Sequence, residues 1–294
     1  MTDRDTVRAG TQSNLEGSDR ILPLTRWVAL VVIPFLLAAC VILCFFPDRT
    51  AEFFAWPINP PMTAWFMGTG YLGGAFFFAR VATQSRWHRV AVGFPVVTVF
   101  TIAMLGATLL HLDRFNLGTL PFYTWLVLYI ATPVLVPAVW LLNRRTDPGT
   151  LEPGDIRVPP LARIVMGAAG VVQLVFAIAG FIRPEFAIAA WPWELSPLTA
   201  RVLCGWLAFL GAGGLLMARE PRWSAWRIAL RSIGLWQLLI LIGIAIHAAD
   251  FTAPLVNWYT VLVAVGTVAI GAAYLWMELR HRGETGSQAV QPSS

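Results

Sequence analysis

The chain contains no lysine. All 21 of its basic residues are arginine, and only 13% of its 294 residues are charged. A soluble domain usually carries about a quarter charged residues. Without lysine there is no Schiff-base chemistry of the retinal or pyridoxal kind. Cysteine is nearly absent as well. Cys40, Cys44 and Cys204 sit inside apolar runs, with no Cys-x-x-Cys spacing. Cys40 and Cys44 share a helix face at i, i+4, a poor geometry for a disulfide, and all three read as small buried hydrophobes. Other patterns are missing too: no His-Glu-x-x-His, no Gly-rich phosphate loop after a strand, and no evident Ser-His-Asp or Cys-His arrangement. The middles of the apolar runs hold Thr69, Tyr71, Thr98, Thr101, Thr132, Gln173, Gln237 and Thr267, but no carboxylate and no basic group. Ion-coupled pumps and proton relays need ionisable groups at that depth.

What is present is apolar. Hydrophobic residues make up 57% of the chain, and the mean hydropathy is +0.66. Runs of about 20 apolar residues call for a bilayer rather than an aqueous core. The spacing predicts eight spans, at about 27–46, 62–82, 90–110, 121–142, 161–182, 198–218, 228–249 and 255–279. The first could pass for a secretory leader, but its length exceeds a usual signal core and it has a counterpart at 161–182.

Two stretches repeat at a constant offset. His111-Leu-Asp113-Arg114-Phe115, followed by Phe122-Tyr123-Thr124, matches His247-Ala-Ala-Asp250-Phe251, followed by Trp258-Tyr259-Thr260. His111 and His247 are 136 positions apart, and so are Phe115 and Phe251, Tyr123 and Tyr259, and Thr124 and Thr260. Trp56-Pro57 with Pro61-Met-Thr63-Ala64 finds a looser echo in Trp191-Pro192 with Pro197-Leu-Thr199-Ala200. A self-match at fixed period marks an internal duplication. The expected fold is therefore an all-α integral membrane protein, its eight transmembrane helices arranged as two tandem parallel four-helix repeats. The expected divisions are a disordered cytoplasmic tail at 1–25, a first membrane repeat at 26–143, a cytoplasmic linker at 144–160, a second repeat at 161–281 and a disordered tail at 282–294.

Orientation follows from arginine. Arg49, Arg114, Arg183 and Arg201 are the four that fall on the far side of the spans; the others gather with the two termini. The positive-inside rule then places both termini in the cytoplasm of a multi-pass protein of the cell (plasma or inner) membrane. Small-residue steps, Gly70-x-x-Gly73-Gly74 and Gly211-x-Gly213-Gly214, read as helix-packing faces. Pro34, Pro95, Pro133 and Pro137 interrupt spans of the first repeat only, and read as kinks that shape packing.

The candidate ligand-binding residues lie at the outer ends: His111, His247, Asp113, Asp250, Trp56, Trp191, Tyr123 and Tyr259. Two imidazoles at one depth could share a metal or haem at His111/His247, yet two ligands fall short of the usual three or four, so no cofactor is assigned. The alternative is that each His caps a helix with its Asp nearby. The Asp residues are offset by one place, since Arg114 is the counterpart of Asp250. Trp56, Trp191, Trp258, Tyr123 and Tyr259 read as anchors at headgroup level, or as an aromatic wall for a lipidic ligand. The expected partners are membrane lipid and a membrane-protein partner or second copy, not nucleic acid. Three functions fit: a non-catalytic lipid- or small-ligand-binding or accessory membrane protein with a pocket at the outer ends of the repeats; a transporter of a neutral or lipidic solute, rocking its repeats; or a membrane enzyme or haem/metal protein using the outer His/Asp groups. The lack of midplane charge and of a catalytic constellation favours the first.

Overall fold

The computed structural model describes residues 17–289, with side chains as far as residue 284. The described residues form helices joined by turns, with no strand among them. In chain order these are α1 (Pro23–Phe45), α2 (Thr50–Phe53), α3 (Pro61–Thr83), α4 (Gly93–Leu110), α5 (Leu120–Asn143), α6 (Pro160–Ile182), α7 (Pro184–Ala190), α8 (Pro197–Arg219), α9 (Trp223–Ile246) and α10 (Trp258–Ala289). Six of them, α1, α3, α5, α6, α7 and α8, begin with proline in the first turn. Its missing N–H costs nothing there and its fixed φ is already helical.

Seven helices are long and apolar enough to cross a membrane: α1, α4, α5, α6, α8, α9 and α10. The chain is a helical, multi-pass membrane protein. The remaining long helix, α3, is the exception, and packing explains why. It carries Gly68, Gly70, Gly73, Gly74, Thr63 and Thr69, and most of its residues are buried against other helices rather than exposed to lipid. A helix enclosed by protein does not need an apolar surface all round.

Helix pairing follows a crossed pattern. α3 packs on α1 and on α9, while α8 packs on α6 and on α4; α4 also packs on α5, and α9 on α10. The α6–α8 contact is backbone on backbone. A Cβ added at Gly170 would lie 2.7 Å from the Gly211 carbonyl oxygen, and one at Gly214 would lie 2.8 Å from that of Met166. Only glycine permits that approach. α3 and α9 are stitched by hydrogen bonds: Trp65 Nε1 donates to Leu239 O (2.8 Å), Trp236 Nε1 to Phe66 O (3.0 Å) and Ser232 Oγ to Gly73 O (2.7 Å).

Two expectations need correction. The tail expected to run to residue 25 is packed from residue 17 onward: Asp19 and Ile21 are buried, and Trp87 N donates to Asp19 O (2.8 Å). Residues 1–16 of that tail lie outside the described residues. The final helix continues past residue 282 to Ala289, and residues 290–294 lie outside the described residues.

Candidate functional site

The eight residues singled out at the aromatic end do not converge. His111, at the C-cap of α4, receives a hydrogen bond at Nε2 from Arg201 Nη1 (2.6 Å), whose Nε donates to Phe181 O. Burial, and then the Arg201 guanidinium, push the imidazole below the usual histidine pKa. His247 instead packs beside Trp65, with ring centroids 5.6 Å apart, and its Nδ1 lies 4.0 Å from Asp250 Oδ2. Arg201 and Trp65 are themselves 136 positions apart, so each imidazole meets the equivalent place on a central helix of the other half of the chain. Asp250 accepts from Met62 N (2.7 Å) and so caps α3 from outside it. Asp113 pairs at 3.0 Å with Arg114, both largely exposed.

The aromatics separate into two nests. Trp56 is buried against Phe54, Phe115 and Trp125, with centroids 4.8–5.1 Å away. Trp191 and Tyr259 are buried together with Trp193, and Trp258 lies at the edge of that group. Headgroup anchoring is the expectation for these indoles; Trp56 and Trp191 are core side chains instead, because Phe54, Phe115 and Trp125 enclose the first and Trp193, Trp258 and Tyr259 the second. Tyr123 stays exposed, at 53%.

The arginine-rich end holds a polar knot that the sequence reading did not find. His88 is 1% exposed. Its Nδ1 lies 2.6 Å from Asp19 Oδ2 and its Nε2 lies 2.9 Å from Ser224 Oγ. Ser224 Oγ donates to Asp155 Oδ2 at 2.6 Å. The backbone matches: His88 N donates to Asp19 Oδ1 (3.0 Å) and Ser224 N to Asp155 Oδ1 (3.1 Å). His88 and Ser224 are 136 positions apart, as are Asp19 and Asp155. One carboxylate-capped turn from each half therefore meets its counterpart, imidazole against hydroxyl. The offset seen in the outer motifs pairs Asp19 with Asp155 in sequence, whereas His88 and Ser224, being unlike residues, leave no such match. The tail and linker readings concealed the two aspartates.

The order Asp19–His88–Ser224 has hydrolase-like distances, but the chemistry is wrong for attack. Ser224 is 2% exposed and its hydrogen goes to Asp155, so His88 serves as donor on Nε2 rather than as base. Donor atoms of His88, Glu152 and Asp155 lie within 4.8 Å of one another. Both carboxylates already accept hydrogen bonds within the knot. Arg89 Nη2 reaches both Glu152 oxygens at 2.7 and 2.8 Å, and Asp155 accepts from Ser224 and from Ile156 N. These bonds join segments far apart in the chain. Beside it, Arg222 forks onto Asp147 (2.7 and 3.0 Å) and Glu220. Burial raises the Asp147 carboxyl, but the Arg222 fork and the Gly149 amide outweigh that and hold it below the usual range.

The open space lies elsewhere, between α1 and α5, which touch little. A cavity of about 140 Å³ runs in from Phe35 and Val136 over the glycine face of α3 to Phe100, Trp206 and Trp236. A second, of about 250 Å³, extends toward the aromatic end between Ala39, Ile42, Phe53, Leu120 and Thr124. Phe35, Leu36, Tyr71, Leu128 and Tyr129 line both. At that junction the Tyr71 and Tyr129 hydroxyls lie 3.1 Å apart, both buried. Pro34, Pro133 and Pro137 interrupt the two helices that wall the crevice. No charged residue lines either cavity. The arrangement offers an apolar slot with one small polar point. No family model, curated protein or solved structure matches this chain.

Proposed function

We propose that this chain is a non-catalytic membrane protein that takes a lipidic or small apolar ligand from the bilayer into the crevice between α1 and α5. The observation that carries the reading is the crevice itself: apolar, bounded by two helices that face outward with residues such as Val31, Leu37, Val127 and Val134, and closed inside by α3. A bilayer component reaches such a slot without passing through water. Its upper part opens at the aromatic end beside the Trp56 nest, where the sequence suggested a pocket.

The finer architecture belongs to the same proposal. Eight spans, with α3 as the enclosed one, form two parallel four-helix repeats, α1 with α3–α5 and α6 with α8–α10. The exchange pattern supports it: α1–α3 corresponds to α6–α8, α4–α5 to α9–α10, and α9–α3 to α4–α8. The paired Asp19/His88 and Asp155/Ser224 turns support it as well. The arginine-rich end is then cytoplasmic, with both termini, and the protein sits in the cell (plasma or inner) membrane. Rocking of the repeats against each other would break the His88–Ser224 link and the α3–α9 stitches, which argues against the transporter.

Native mass spectrometry of the purified chain tests the binding. One apolar ligand should remain on the wild type and be lost from Ala39→Trp, which fills the slot. Equal retention by both would reject the crevice as the site.

A further inference from the structure

If the crevice binds a ligand, its hydrogens say what the ligand carries. Tyr71 and Tyr129 have two hydroxyl hydrogens between them and one mutual hydrogen bond, so one hydrogen has no acceptor among the described residues. Trp206, which lines the same space, has a buried Nε1–H with no partner among the described residues. The other hydroxyls of the first cavity are committed to backbone carbonyls: Thr101 donates to Thr98 O and Thr132 to Leu128 O within their own helices, and Ser232 donates across to Gly73 O on α3. The surplus is in donors, and buried donors are seldom left unmatched.

The lining also sets the charge of the occupant. Neither cavity has an arginine, so a carboxylate or phosphate head would lie buried without a counter-ion. The walls around the tyrosines are rings, namely Phe35, Phe77, Phe100, Trp206 and Trp236, and stacked or edge-on rings favour a flat partner. The chemistry is also one-sided. The positions 136 further on from Tyr71 and Tyr129 are Leu207 and Val265, and from Trp206 the position 136 before is Gly70.

We propose that the occupant is a neutral, planar, carbonyl-bearing ring on an apolar tail, the chemistry of a membrane quinone, with a ring carbonyl accepting from the Tyr71/Tyr129 pair. This rests on the crevice being a ligand site, and the test separates the two claims. The full-length protein in nanodiscs would be labelled with a diazirine-bearing alkyl probe, and three competitors compared: a decyl-1,4-benzoquinone, decylbenzene and decanoate. The quinone should displace the probe at a concentration about tenfold below decylbenzene, as one good hydrogen bond allows. Decanoate should be the weakest. A single Tyr→Phe change leaves the other hydroxyl free to donate, so the decisive variant is Tyr71→Phe with Tyr129→Phe. It should bring quinone and decylbenzene to parity while leaving decylbenzene unchanged; that unchanged binding also reports an intact fold. Parity in the wild type, a preference that survives in the double variant, or decanoate as the best competitor would each overturn the carbonyl assignment and leave the lipid crevice standing. A probe that labels residues away from the crevice lining would overturn both.

Discussion

The half of the chain ending at Thr146 and the half after it place the same helices in the same pairings but fill them differently. In the second half the outer helix α6 lies backbone to backbone on α8 through Gly170, Gly211 and Gly214. In the first, a Cβ at Gly68 would lie 2.6 Å from Cys44 Sγ and 3.4 Å from the Cys40 carbonyl oxygen, but one at Gly74 would find Leu36 at an ordinary 3.5 Å. The second half is zipped backbone to backbone, whereas the first is close at Gly68, relaxes at Gly74 and leaves room between α1 and α5. Prolines interrupt α1 and α5 and do not interrupt α6 or α10. Near the centre Trp206 of α8 crosses toward α3 and occupies the space beside Gly70, 136 positions before it. Matching helix pairings thus coexist with a cavity and a polar point in the first half.

That contrast can be broken at graded cost. The largest effect should come from the knot that joins the halves. His88→Ala removes the 2.6 Å imidazole partner of the buried Asp19 carboxylate and leaves Arg86, at 3.7 Å, as its charged neighbour among the described residues; it should cost about 3 kcal/mol, the scale of removing one partner of a buried pair. Thermal unfolding in detergent checks it; an unchanged midpoint would mean the knot is not a joint. Next comes the zip. Gly170→Val should destabilise by about 2 kcal/mol, the usual scale of overpacking, whereas Gly74→Ala in the roomier half should change the midpoint little. Equal losses at both sites would erase the distinction between zipped and open halves.

The smallest effect is a pH dependence. Asp147 has its folded pKa held below the unfolded value, so its link to Arg222 contributes fully above the ordinary carboxylate range, about pH 4. That contribution is lost as pH falls through the lower folded value. Asp147→Asn should therefore flatten the decline in stability below about pH 4 and leave the shape of the curve at neutral pH unchanged. An identical acid limb in the variant would contradict the assignment.

Much of the scaffold was legible because its signals are local. Apolar length and first-turn prolines mark the helices, and the His-x-x-x-Phe echo exposes the offset. The functional places were less legible because they are assembled from segments far apart. Asp19 sits in what reads as a tail and Asp155 in what reads as a linker; burial, which sequence does not display, makes them structural. Tyr71 and Tyr129 are 58 positions apart on different helices, and nothing local says that α1 and α5 part to leave space beside them. The two outer histidines each meet a central helix, α8 or α3, and do not meet each other.

The most direct test of the central claim compares the two halves within one molecule. The wild-type protein in nanodiscs is labelled with the alkyl diazirine probe, digested, and the adducts mapped by mass spectrometry. The account predicts adducts concentrated on the crevice side of α1 and α5, around Phe35, Leu36 and Leu128, well above those on α6 and α10. Equal labelling of the two pairs of helices would contradict it.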